Sequence, residues 1–253
     1  MDRLAPPMAP DTLRTLRAIN ERFYRTQAAG FAARRTRPWP GMERLLCELP
    51  EPPMRVLDVG CGHGRFAALL AADRRVRGLP QPHYVGVDRS RALLERARRR
   101  DDVPEGARWL ERDIEAEAPE ERGLPQGPFD LVVMIAVVHH IAGEARRAAL
   151  LRELATRLVP GGTLAVAFWR SAADDRRRHL DWRRVGIEPA TLEEGDRLLS
   201  FDGERGGIRY GHFASEAELR RMECAPGHPV VLRYLDDGPQ RQSNAYLLWR
   251  RPA

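Results

Sequence analysis

The sequence predicts a doubly wound α/β fold built on a mostly parallel, seven-stranded sheet. Short apolar strands alternate with amphipathic helices from Arg55 to Trp169, a rhythm that favours parallel strands covered on both faces. A glycine-rich loop, Asp58-Val59-Gly60-Cys61-Gly62-His63-Gly64, follows the first of those strands directly. An acidic residue, Asp88, closes the second.

At 253 residues the chain is long enough for one sizeable core with additions. Residues 1–10 read as a tail. Leu13, Leu16, Ile19 and Phe23 recur at helical spacing behind Asp11, a candidate N-cap, and the helix should end by Gly30. The basic segment Arg34-Arg35-Thr36-Arg37 leads into Pro38-Trp39-Pro40-Gly41 and a short helix from Met42 to Leu49. Residues 1–53 therefore form an N-terminal tail and helical lid, and 54–253 the main domain.

Within that domain Val56–Val59 and Tyr84–Asp88 are strands, each followed by a helix, Arg65–Ala72 and Arg89–Arg100. Arg108–Leu110 is a short third strand, residues 115–128 a loop, and Phe129 to Val133 or beyond a buried fourth strand. A helix over Gly143–Leu158, a turn at Pro160-Gly161-Gly162 and a fifth strand over Thr163–Trp169 complete the alternation. Residues 171–207 break the rhythm and read as a cap insertion. A helix over Ser215–Glu223, started by Ser-Glu-Ala-Glu, precedes strands near Val230–Leu235 and Ala245–Trp249.

Composition excludes several classes. The longest apolar run, Leu131–Val138, is too short to span a bilayer. The first ten residues lack the apolar stretch of an export signal, so a cytoplasmic protein is expected. Cys47, Cys61 and Cys224 form no CxxC pair, and no metal site is expected. The net charge is +6 and every basic residue other than histidine is arginine. Codon bias explains the arginine preference best, but the positive excess is compatible with a nucleic-acid partner.

The glycine loop points to a nucleotide-like ligand. Glycines let the backbone approach closely, and the next helix aims free N–H groups at the loop. Counted from Gly60, the third glycine of the dinucleotide fingerprint GxGxxG falls on Arg65, so the loop departs from a pyrophosphate cradle. The form Asp58-x-Gly60-x-Gly62-x-Gly64 instead resembles the first motif of class I S-adenosylmethionine-dependent methyltransferases, which are Rossmann-like. The resemblance implies that Gly60, Cys61 and Gly62 pack against the methionine part of the cofactor and that Asp58 fixes its amino-acid end. It implies further that Asp88, beside Arg89, holds the ribose, that Asp113 meets the adenine amine and that Ile114 packs on the adenine ring.

Three more segments narrow the resemblance: Thr36-Arg37-Pro38-Trp39-Pro40-Gly41, then Ile135-Ala136-Val137-Val138-His139-His140-Ile141, then Arg209-Tyr210-Gly211-His212-Phe213. Their order and spacing, with Tyr24 and Phe31 ahead of them, resemble the methyltransferases that esterify 5-carboxymethyluridine at the tRNA wobble position. That implies transfer to a carboxylate, already ionised at neutral pH because its pKa lies near about 4, so alignment rather than a general base is needed. Arg37 and Trp39 then lid the cofactor, and Ala136 lies beside it. His139, His140 and Arg170, at the carboxyl edge of the sheet, are catalytic candidates, and Arg209, Tyr210 and His212 substrate-side candidates. The expected partner is tRNA, touched by Arg34, Arg35 and Arg176–Arg178, and some family members need a small activator subunit. The competing expectations are a methyltransferase for a small-molecule metabolite, with 171–207 closing an apolar pocket, and a non-catalytic relative that kept only the fold.

Overall fold

The structure is a computed structural model that describes all residues except 1–3, 35–36, 53, 117, 119, 171–178 and 202–206, and excludes the side chains of Phe31 and Pro239. Arg35, Thr36 and the Arg176–Arg178 run therefore lie outside the described residues.

Strands β1 (Arg55–Val59), β2 (His83–Asp88), β3 (Arg108–Glu111), β4 (Phe129–Ile135) and β5 (Leu158–Trp169) are joined by helices or loops and pair in parallel. Helices α3 (Arg65–Val76), α4 (Arg91–Arg98) and α5 (Glu144–Ala155) cover them. With β8 (Val230–Asp236) and β9 (Asn244–Arg250) the sheet has seven strands in the order β3-β2-β1-β4-β5-β9-β8, and β9 runs antiparallel to both neighbours. The order reverses between β1 and β4, and in open α/β sheets ligands bind outside the carboxyl ends of the strands at such a switch point.

Near-continuous burial of β1 and β4 reflects cover on both faces. One apolar layer packs α5 and α6 (Glu216–Glu223) on the sheet through Leu151, Leu154, Leu219 and Met222. The other packs α2 (Pro40–Leu46), α3 and α4 through Leu45, Phe66, Leu70 and Leu94. Ser215 accepts the Glu218 N–H and caps α6, the start that Ser-Glu-Ala-Glu announces.

Several boundaries differ from expectation. The first helix, α1, runs from Pro10 to Ala33, straight through Gly30. Ala28 and Ala32 beyond or beside that glycine pack on Leu93 of α4, and this burial outweighs the glycine's weak helix propensity. Asp11 is not the N-cap: Ala9 is, with Pro10 in the first turn, and Asp11 pairs with Arg14. The short second helix stops at Leu46, and α5 stops at Ala155 because Leu158 already pairs with Phe129. Pro160-Gly161-Gly162 sits within β5 at an irregularity in that pairing.

The segment expected as a cap, 171–207, contributes one strand of a hairpin that periodicity does not reveal, β6 (Asp196–Ser200), and its partner β7 (Ile208–His212) follows that segment. The hairpin's buried residues mix polar and apolar groups: Asp196, Arg209 and His212 are buried along with Leu198, Leu199 and Tyr210, so the clean alternation that signals a strand is absent. The hairpin packs on α1 through β7. No helix among the described residues is long and apolar enough to cross a membrane.

Candidate active site

The chain leaves β1 at Val59 and turns through residues 60–64 into α3. Gly60 and Cys61 donate N–H bonds of 2.7 and 3.0 Å to the Val87 carbonyl, tying the loop to β2. Gly60 has φ +75°, and a Cβ there would lie 2.2 Å from Val137, so only glycine fits. Asp88, at the end of β2, receives the Gly62 N–H on one carboxyl oxygen (2.9 Å) and the Ser90 N–H on the other (2.8 Å). Each oxygen keeps a lone pair for a further donor, the arrangement that a ribose diol requires. Burial pushes the Asp88 carboxyl above its usual range, with the three backbone N–H groups of Ser90, Gly62 and Arg89 opposing.

Asp58 lies on β1 beneath this loop, buried, with the Tyr84 hydroxyl donating to it. Burial pushes its carboxyl up to about 7; the Tyr84 bond and nearby Arg65 oppose this, and Asp88 adds to it. A buried carboxylate of this kind gains most from a cationic partner such as an amino group.

These groups border one cleft of about 990 Å³ at the carboxyl edge of the sheet, its open mouth included. Of the residues expected to bind cofactor, the fold brings Asp58, Gly60, Cys61, Gly62, Asp88, Arg89, Ile114 and Ala136 together around it. Ala136 has φ +63°, a left-handed conformation rare outside glycine, where the chain leaves β4. His140 is the one member of the expected catalytic set that lines the cleft.

The others stand elsewhere. Asp113 is outside the lining: it pairs with Arg17 and accepts the Glu115 N–H at 2.9 Å. Glu115 itself faces the cleft, buried, with Arg89 at 3.1 Å. Trp39 is half-buried under the Arg65 guanidinium, 4.6 Å from the ring centre, and Arg65 also reaches the exposed Arg37 carbonyl at 3.4 Å. Arg37 and Trp39 thus contact the cleft through Arg65, which lines it. The Pro-Trp-Pro-Gly segment is held from behind: a Cβ on Gly41 would strike the Tyr246 ring at 2.3 Å, and Asp237 accepts the Gly41 N–H.

His139 is buried and stacked on Trp169, with ring centres 3.5 Å apart. Arg209 is buried with its guanidinium 5.1 Å from the Trp169 ring and 5.6 Å from Phe23. Arg170 borders a different cleft, between the N-terminal tail and α6, and lies 3.9 Å from Glu216. Arg34 sits over the Phe201 ring.

Tyr210 and His212 point into a buried polar network. The Tyr210 hydroxyl donates to Asp196 (2.7 Å), and His212 lies between Asp196 (2.8 Å) and Glu218 (2.6 Å). Arg147 on α5 bonds Glu218 and Glu193. Among the described residues Glu193, Asp196 and His212 have metal-ligand atoms within 4.8 Å of one another, but these atoms bond to Arg147, Tyr210, Glu218 and each other. Burial opposes ionisation of Glu218, yet the His212 bond and the Arg147 charge overcome it and hold its carboxyl at about 2.

Sequence reasoning missed the wall opposite the glycine loop. Asn20 and Tyr24 of α1 line the cleft beside His140 and Ile141. The Tyr24 hydroxyl lies 2.7 Å from His140 Nε2, and His140 Nδ1 lies 3.0 Å from the Tyr210 carbonyl. Asn20 accepts the Tyr210 N–H at 2.9 Å and donates to the His140 carbonyl at 3.4 Å. The only sequence signal for this wall was the place of Tyr24 ahead of the Pro-Trp-Pro segment.

The sheet order, the glycine loop and the paired acids define a class I methyltransferase fold with an S-adenosylmethionine site. The chain matches the methyltransferase-domain family over residues 57–164. A protein of Encephalitozoon cuniculi named as a methyltransferase is 31% identical over 222 residues, 88% of this chain and 90% of that one. The chain belongs to this family and is an S-adenosylmethionine-dependent methyltransferase. The carboxymethyluridine(34)-5-O tRNA methyltransferase of Xenopus tropicalis is 33% identical over 58% of this chain and 20% of its own. Trans-aconitate 2-methyltransferase of Streptomyces coelicolor is 34% identical over 218 residues, 81% of this chain and 66% of its own. The chain spans less than two-fifths of tRNA methyltransferase 9B of Bos taurus, 37%, at 28% identity. Among solved structures, an S-adenosylmethionine-dependent methyltransferase of Methanosarcina mazei shares the fold with a TM-score of 0.61 at 18% identity, over 82% of this chain and 97% of its own. A methyltransferase of Haloferax volcanii, solved with the Trm112 activator, does so at 0.60 and 18%, over 94% and 98%.

Proposed function

We propose that the enzyme esterifies a carboxylate, and that its acceptor is 5-carboxymethyluridine at the tRNA wobble position. The observation that carries the chemistry is shared by two relatives whose substrates differ greatly in size: each is named for an acceptor that bears a carboxylate, carboxymethyluridine or trans-aconitate. The tRNA acceptor rests on the three segments around Trp39, His140 and Tyr210. The trans-aconitate relative supports a second reading, a small-molecule carboxylate, because it aligns along 81% of this chain.

The bound cofactor supplies a methyl group activated by its sulfonium. The chain's own part is placement. The glycine loop and Asp58 hold the amino-acid end, Asp88 the ribose, and Ile114 with Glu115 the adenine end, where Asp113 orients Glu115 through its N–H. Residues 1–53 act as lid and residues 171–207 as cap. The acceptor enters between α1 and the residues that follow β4, where His140 touches it. Arg209, between Phe23 and Trp169, lies behind that wall. The reading extends to a small activator subunit as partner, of the kind in the Haloferax complex.

The test is incubation with radiolabelled S-adenosylmethionine and two pools, bulk tRNA bearing carboxymethyluridine and a small-molecule extract. Label in tRNA released by mild base is expected. Label in the extract alone sinks the tRNA acceptor and leaves the metabolite.

A further inference from the structure

We infer that Tyr24 and His140 form a relay that takes up one proton when a carboxylate acceptor binds, which makes Tyr24 a substrate-positioning residue. The inference rests on the carboxylate reading above.

The hydrogen bonds set the proton positions. The Tyr210 carbonyl can only accept, so His140 Nδ1 carries a hydrogen. In neutral His140 the Nε2 atom is then a lone pair, and the 2.7 Å contact means that the Tyr24 hydroxyl donates to it. Tyr24 has one hydroxyl hydrogen, and it is spent on His140. What its oxygen offers the cleft is lone pairs, while a carboxylate also brings only lone pairs. For Tyr24 to donate to a carboxylate, its hydrogen must turn into the cleft. Two acceptors, Tyr24 Oη and His140 Nε2, would then face each other at hydrogen-bond distance unless Nε2 gains a proton. With that proton the chain is complete: imidazolium Nε2–H donates to Tyr24, and Tyr24 donates to the acceptor. In this step an N–H bond forms at His140 Nε2 with a proton given up by solvent; no other atom is transferred, and the proton returns to solvent when the ester leaves.

The groups packed on His140 are polar or aromatic, and the buried Arg209 of β7 lies behind them, 5.1 Å from the Trp169 ring, so it is the carboxylate's own charge that favours the imidazolium. From α1, Tyr24 and Asn20 face His140, and from β7 the Tyr210 carbonyl. Trp169 of β5 presents a ring 5.8 Å away, and His139 of the same turn one at 4.2 Å. Across the cleft stand Asp58, His63 and Arg65 by the glycine loop, and Asp88, Arg89, Arg112 and Glu115 at the other end.

The experiment is a pH profile of steady-state kinetics on the full chain at saturating S-adenosylmethionine, with carboxymethyluridine-bearing tRNA and trans-aconitate as the two acceptors. KM for the methylated acceptor should rise as pH rises, by up to about tenfold per pH unit while His140 is neutral before the acceptor binds, with kcat little changed. His140→Gln carries a permanent amide donor towards Tyr24 and should abolish that slope. Tyr24→Phe should raise KM most at acidic pH, where the wild type binds tightest. A purely structural role for either residue would lower stability or kcat without erasing the slope. Methylation with KM flat or falling as pH rises overturns the relay and leaves the carboxylate reading standing. Methylation of neither acceptor at any pH overturns both.

Discussion

Asp58 shows at the scale of one residue how burial and function oppose each other. Its carboxyl is pushed up to about 7 by burial and is therefore largely neutral at mildly acidic pH. The sign follows from the proton balance. A carboxyl with a raised folded pKa favours the folded state below its unfolded value of 3.8, and that contribution is lost as pH rises towards about 7. The cofactor's ammonium acts in the other direction, because it favours the ionised form. S-adenosylmethionine binding should therefore weaken by up to about tenfold per pH unit below pH of about 7. Calorimetric titration between acid and neutral pH checks this, and Asp58→Asn should flatten the profile while weakening binding at alkaline pH. A flat wild-type profile would mean that the ammonium does not meet Asp58. This slope is opposite in sign to the one expected for the acceptor.

Among elements, the buried network joins the β6/β7 hairpin to α5 and α6. Arg147 is 1% exposed and holds Glu193 and Glu218 together. Replacing it with alanine would leave the buried Glu218 and the partly buried Glu193 without their arginine, and breaking a buried pair in this way typically costs about 3–5 kcal/mol. Urea denaturation of Arg147→Ala should show that loss, and a change below about 1 kcal/mol would mean that the network relaxes into water. Glu218 stabilises the fold above its ordinary pKa of 4.5 and loses that effect only as pH falls through about 2. The hairpin matters to the site because its β7 backbone holds both His140 and Asn20. Loosening the network should thus raise KM for the acceptor before it affects the cofactor.

Charge belongs to the molecule as a whole. The chain carries 42 arginines against 36 acids, and many arginines are already engaged, as Arg147 and Arg74 are inside the core. The excess of positive charge is a long-range field rather than a site. If tRNA is the acceptor, its binding must fall steeply with salt, along a straight line in log K against log salt concentration. Filter binding of bulk tRNA between low and physiological salt measures this. Salt-insensitive binding would favour the small carboxylate.

Local sequence by itself determined the sheet, the glycine loop and the position of Asp88. These features depend on short apolar runs and on backbone turns, which neighbouring residues dictate. It also determined the class of cofactor, because Asp58 and Asp88 fall on the adjacent strands β1 and β2, and Gly60 and Gly62 in the loop that leaves β1. Helix ends were less legible, since the burial of Ala28 and Ala32 carried α1 past Gly30. The acceptor wall was decided only by the tertiary structure. Tyr24 and His140 are 116 residues apart, and Asn20 and Tyr210 are 190 apart. The β6/β7 hairpin was hidden for a related reason: Asp196 and His212 are buried among its apolar residues, and they are tolerated there because partners from α5 and α6 satisfy the network. Hydrogen-bond complementarity over such separations leaves no periodic trace in the chain, so folding alone brings the two halves of the wall together.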